Sequence, residues 1–185
     1  VLTYGDVAAL AETDATARDV GQVLVRHGEA ETGSTDGTDH GRALAPRGAE
    51  QSAATAAWLT ERGLGGPDLV LVSSALRTAR TWAAMAGALH PGTVREEPAL
   101  YDTSAEELVH LVARTPDEVT SLLLVGHEPV VSGAADALAG DGSDGALLAQ
   151  VRAGVSPGSA VVLELRGPWA SLQLASARLV DHHRP

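Results

Sequence analysis

The chain has 185 residues, 44% of them hydrophobic and 20% charged, and a formal net charge of −11. That length fits one domain with a sizeable core, and the acidic balance argues against nucleic acid or an anionic membrane as a partner. There is no cysteine, which excludes a disulfide framework or a thiolate site and is compatible with the cytoplasm, the expected compartment. With no phenylalanine and one methionine, the core must be packed largely from Ala, Val and Leu. No apolar run approaches membrane-spanning length.

The chain begins with Val, so a missing or processed start is expected. Residues 1–20 carry Asp6, Glu12, Asp14 and Asp19 without a basic stretch, unlike a signal peptide. They read as an N-terminal extension, in part helical over 6–19. "GQVLVR" (21–26) reads as a strand buried on both faces, because its apolar run is continuous rather than alternating. A Gly/Asp/Thr-rich loop follows over 31–41. A helix is expected over 45–63, with Pro46 in its first turn and Gly63 at its stop.

"PDLVLVSS" (67–74) is a second buried strand, and 75–90 a second helix closed by Pro91-Gly92. A short strand is expected over 93–97. Ser104 and Glu107 have the spacing of a capping box opening a helix over 104–114. "TSLLLVG" (120–126) is a third buried strand, with a helix over 130–140. Residues 159–180 read as two strands joined by a turn at Gly167-Pro168. Alternating strands and helices imply an α/β class fold: a three-layer α/β/α sandwich whose central sheet is mostly parallel, with helices on both faces.

Three segments share one pattern. "VLVRHG", "VLVSSALR" and "LLLVGHEP" each place cationic or imidazole groups at or just past the C-terminal end of a buried strand. Ligands of open α/β sheets bind outside those ends. One sheet would bring Arg26, His27, Arg77 and His127 to a single rim, as an anion pocket without a carboxylate cluster. Guanidinium forks match phosphate oxygens. Neighbouring arginines disfavour a further positive charge and so keep His27 neutral, as a nucleophile must be. Phosphoryl transfer through a phosphohistidine, with His127 and the arginines on the phosphoryl oxygens, needs no metal and no cofactor.

The blocks "VLVRHGEAE", "HGRALAPRGAEQSAATAAWL", "PDLVLVSSALRTARTW" and "SLLLVGHEP", in this order, resemble the histidine phosphatase superfamily (phosphoglycerate mutase-like). The short region between the second and third strands resembles its small bacterial phosphohistidine phosphatase branch. The resemblance implies a histidine phosphatase domain over 21–181 with a tail at 182–185. It also implies that His27 is the phosphorylated residue, that Arg26, Arg77 and His127 complete the catalytic set, and that Arg42 binds substrate.

The expected function is metal-independent hydrolysis of a phosphoryl group, most simply from phosphohistidine. The alternatives are a broad small-molecule phosphomonoesterase, acting on sugar phosphates or nucleotides, and a non-catalytic phosphate-binding module. The partner is thus a phosphorylated small molecule or a phosphohistidine-bearing protein. The acidic motif that supplies the general acid in mutase-like members is absent, leaving Glu96, Glu97, Tyr101 and Asp102 as candidates. His182 and His183 read as a solvated tail, His40, His90 and His110 as surface or loop residues, and Trp58, Trp82 and Trp169 as core or interface fillers.

Overall fold

The computed structural model describes residues 20–185, so the expected N-terminal helix lies outside the described residues. Six strands form one sheet: β1 (Val20–Arg26), β2 (Leu69–Val72), β3 (Thr93–Glu96), β4 (Ser121–Gly126), β5 (Ala160–Leu165) and β6 (Ala177–His183). Their spatial order is β3-β2-β4-β1-β5-β6. The first four are parallel, β5 runs antiparallel to β1, and β6 antiparallel to β5. The helices are α1 (Pro46–Glu61), α2 (Leu76–Met85), α3 (Ala105–Val112), α4 (Val130–Leu138) and α5 (Gly145–Arg152). The expected three-layer α/β sandwich is the fold observed.

Side chains alternate across a strand, so a strand covered on both faces needs an unbroken apolar run. Val23, Val25, Val70, Val72, Leu123 and Val125 pack on one face against Ala56 and Leu59 of α1 and Met85 of α2. Leu24, Leu69, Leu71, Leu122 and Leu124 face the other layer, formed by Leu108 and Val112 of α3, Val131 and Leu138 of α4, and Val151 of α5. The Ser104–Glu107 capping box opens α3 as expected. Among the described residues no helix is long and apolar enough to cross a membrane.

Three expectations are corrected. Helix α5 was not foreseen: it is short, starts at a glycine, and depends on the Asp144 carboxylate accepting from the backbone N–H groups of Ala146 and Leu147. The last two strands are not joined by a tight turn at Gly167-Pro168. Their connection spans 166–176 and is pinned by Trp169, which is fully buried and donates its indole N–H to the Val119 carbonyl at 2.6 Å. Finally, 182–185 does not begin as a solvated tail. β6 runs through His183, whose ring stacks on Trp58 of α1 with centroids 4.8 Å apart. Arg62 lies over the same indole and pairs with Asp181.

One packing detail governs the rim of the sheet. A Cβ on Gly28 would run into the Gly48 carbonyl, and one on Gly48 into the Glu29 carbonyl. The segment after β1 therefore lies backbone to backbone against the first turn of α1. Replacing Gly28 by Ala forces the two apart, and urea unfolding is expected to show a loss of about 1–3 kcal/mol, the usual scale of overpacking. An unchanged midpoint would refute this close approach.

Candidate active site

Strand register builds the rim. Val25 of β1 and Val72 of β2 both pair with Val125 of the intervening β4, and Arg26 pairs with Gly126. The three chains thus leave the sheet at one level: Arg26-His27 from β1, Ser73 from β2 and His127 from β4. His27 N–H donates to the Gly126 carbonyl (3.0 Å) and Ser73 N–H to the Val125 carbonyl (3.1 Å), extending the pairing one residue beyond the strands. The rings of His27 and His127 lie edge to face, 5.2 Å apart.

His27 Nδ1 is 2.7 Å from the carbonyl of Gly28. A carbonyl can only accept, so Nδ1 carries the hydrogen and Nε2 bears the free lone pair. Arg77, on the first turn of α2, donates its Nε–H to that nitrogen at 3.2 Å. Burial, then the Arg77, Arg26 and Arg42 guanidiniums, push the His27 imidazole down to about 4, against the opposing pull of the Gly28 carbonyl. The imidazole is neutral at pH 7, with its lone pair aimed at a guanidinium.

His127 is also neutral. Burial, followed by His27 and Arg77, lowers it to about 3. Its Nε2 is 2.8 Å from the Ser73 hydroxyl, while its buried Nδ1 has no protein partner among the described residues. Arg26 reaches the Val155 carbonyl through Nη1 at 2.6 Å, and its buried Nε is likewise without a partner. Val155 N–H in turn donates to the Glu128 carboxylate at 3.1 Å. A neutral imidazole nitrogen thus sits near the unpartnered Nε–H of Arg26 and an unpartnered nitrogen of His127. Such a cluster suits a tetrahedral oxyanion.

The sequence pattern implies an anion pocket without a carboxylate cluster; a single carboxylate, that of Asp39, nonetheless reaches its arginines. Asp39, in the loop after β1, accepts from Arg77 Nη2 (3.0 Å), Arg42 Nη1 (3.0 Å) and the Tyr101 hydroxyl (3.1 Å), and its carbonyl accepts from Arg77 Nη1 (2.7 Å). The hydrogen bond from Arg42, then those from Tyr101 and Arg77, hold its carboxyl down at about 2. Two contacts fix this loop: Leu76 N–H donates to the His40 carbonyl, and His40 Nε2 lies 3.0 Å from the Ser74 hydroxyl. His40 is exposed, as expected, but its ring also packs edge-on against Tyr101.

Arg26, His27, Arg77 and His127 therefore converge, and Arg42 joins them through Asp39. Of the acid candidates, Tyr101 stands at the pocket, 5.7 Å from the His127 ring, with its phenol pushed up by desolvation and by Asp39. Glu97 spends its carboxylate on Ala99 N–H and Arg95, and Glu96 and Asp102 are exposed. Sequence reasoning missed Asp39, Ser73 and Glu128. Their signal was present, since each stands within four residues of a pocket cation or imidazole, but nothing in that spacing says which way a side chain turns.

Comparison with known proteins agrees with this geometry. The family model of the histidine phosphatase superfamily (branch 1) matches residues 22–123. An uncharacterised protein of Mycobacterium leprae is 34% identical over 147 residues, covering 80% of this chain and 89% of that protein. The structure of a candidate phosphohistidine phosphatase, SixA from Nakamurella multipartitia, superposes with a TM-score of 0.78 at 31% identity, covering 90% of this chain and 96% of that one. Its counterpart from Agrobacterium tumefaciens gives 0.73 at 26% identity, covering 90% and 98%. The chain belongs to branch 1 of the histidine phosphatase superfamily and is a phosphatase of that superfamily.

Proposed function

We propose that this phosphatase hydrolyses phosphohistidine by way of a phosphoryl group carried on His27. The observation that carries the reading is the His27 tautomer: the Nδ1–H bond to Gly28 leaves the lone pair on Nε2, the nitrogen turned toward Arg77. In the first step Nε2 bonds to phosphorus and the P–N bond of the substrate breaks. The leaving imidazole departs neutral when its other nitrogen carries a proton. In the second step a water oxygen bonds to phosphorus, the Nε2–P bond breaks, a proton passes to solvent and phosphate is released. Arg26, Arg77 and His127 act as donors to the three spreading oxygens, and Arg42 binds substrate on the Asp39 side.

The acid inventory favours a P–N bond over an alkyl ester. An alkoxide leaving group needs a proton, yet the pocket carboxylate, Asp39, is held ionised at about 2, and the protonated Tyr101 phenol spends its hydrogen on Asp39. The Nakamurella relative, described as a candidate phosphohistidine phosphatase, supports the same assignment. The experiment compares a phosphohistidine peptide, an aryl phosphate and an alkyl phosphate, with wild type and His27→Ala. Wild type is expected to turn over the first two and the alkyl ester about 100-fold more slowly, with His27→Ala losing about 1,000-fold or more. An alkyl ester hydrolysed as fast as the phosphopeptide would favour the phosphomonoesterase. Equal rates for wild type and His27→Ala would remove the nucleophile.

Two further outcomes follow from the pocket. Arg77→Lys keeps the charge but loses the fork shared between His27 and Asp39, and kcat for the aryl phosphate is expected to fall about 100-fold. The pH dependence has a defined sign. His27 and His127 are lowered in the folded state to about 4 and about 3, so the unfolded chain, with histidines near 6.5, binds more protons in between. Their contribution to stability is full above about pH 6.5 and is lost as the pH falls toward 3. Histidine NMR on the folded protein is expected to show both rings neutral at pH 6. A His27 midpoint near 6.5 would overturn the desolvated pocket.

A further inference from the structure

Ser73 is fully buried at the end of β2 and is immobilised on both sides. Its N–H is spent on the Val125 carbonyl, and its own carbonyl accepts from the Thr78 hydroxyl at 2.7 Å. What remains free is its hydroxyl, and among the described residues that group's hydrogen-bond partner is His127 Nε2, at 2.8 Å. His127 is itself 8% exposed, and its other ring nitrogen has no protein partner among the described residues.

A neutral imidazole has one N–H, so this contact has two forms. If Nε2 held the hydrogen and gave it to Ser73, the hydroxyl hydrogen would be left buried without an acceptor. Nδ1 would then present a lone pair to an arriving oxyanion. Both are costly for groups as buried as these. If Ser73 donates instead, its hydroxyl and Nε2 satisfy each other. The ring hydrogen is then forced onto Nδ1, the one group of this pair left unpaired among the described residues and the one from which an oxyanion can accept it.

We infer that Ser73 is a positioning residue: its hydroxyl donates to His127 Nε2 and thereby fixes His127 as an Nδ1–H donor to the phosphoryl group. This rests on the reading of the pocket as a phosphoryl-transfer site. The two His27–His127 rings, 5.2 Å apart, then carry opposite tautomer duties. His27 shows a lone pair because a carbonyl claims its Nδ1 hydrogen. His127 shows a hydrogen because a hydroxyl claims its Nε2 lone pair. The same side chain thus serves as attacker or as donor, according to what the backbone places behind it.

The test has one spectroscopic and one kinetic arm, so its failure is separable from failure of the phosphatase reading. Long-range proton–nitrogen NMR of the uniformly labelled full chain at pH 7 reads the tautomer without turnover. His127 of wild type is expected to show a protonated Nδ1 and a bare Nε2, and Ser73→Ala a mixture of the two forms. In the kinetic arm, Ser73→Ala should lower kcat for an aryl phosphate about 10- to 100-fold, the usual scale for an outer partner of a working imidazole. KM should change less than about twofold. In a His127→Gln background the same substitution should cost less than twofold, since its effect runs through that ring.

A wild-type His127 protonated on Nε2 would overturn the assignment. So would unchanged kcat in Ser73→Ala, or an equal loss with and without His127. Ser73→Thr, which keeps the hydroxyl, guards against a folding defect. Recovery of the tautomer there supports the donor role, and failure to recover it in a protein of wild-type melting temperature counts against it.

Discussion

The parallel pairing of β4 between β1 and β2 is the constraint on which the site depends. In a parallel ladder adjacent strands end on the same side, and here the register brings Arg26, Ser73 and Gly126 to one level. A shift of one residue would turn each rim side chain to the opposite face, separating His27 from His127. That shift is resisted throughout the sheet, because it would exchange the two rows of apolar side chains that fill the separate helix layers. The chemistry at the rim is therefore held in place by leucines and valines well below it.

Electrostatics then act within a volume too small for the net charge to matter. The chain is strongly acidic, yet the pocket gathers Arg26, Arg77 and, through Asp39, Arg42. At a screening length of about 8 Å distant surface carboxylates are muted, while guanidiniums within a few ångströms of His27 are not. Burial is the larger influence on both imidazoles, and the arginines add to it. Neutral rings among fixed cations suit attack on an anion, since the nucleophile need not lose a proton first.

Much of the fold was legible in the sequence for a physical reason. A strand covered on both faces has to be apolar at every position, so β1, β2 and β4 stood out as unbroken runs, and the residues after them named the rim. What escaped depends on contacts between distant segments. His182 and His183 look like a polar chain end until α1 and the residue that ends it place Trp58 and Arg62 against β6. Asp39 sits in a loop of glycines, threonines and aspartates, where one carboxylate cannot be told from another. It is singled out only once Leu76 has bonded the His40 carbonyl and carried the loop across the end of β2. Ser73 is one of two adjacent serines in "VSSALR", and only the three-dimensional position of His127 distinguishes them.

The Asp39 carboxylate has an implication for the end of the reaction cycle. Arg77 and Arg42 are not bare cations awaiting a ligand, since each already holds an internal anion. On the proposed phosphoryl-transfer reading, an incoming phosphoryl group meets guanidiniums whose Nη groups Asp39 already engages. Product and tethered carboxylate therefore compete for the same guanidiniums. On that same reading, the tethered carboxylate offsets part of the arginines' attraction for free phosphate and so favours its release.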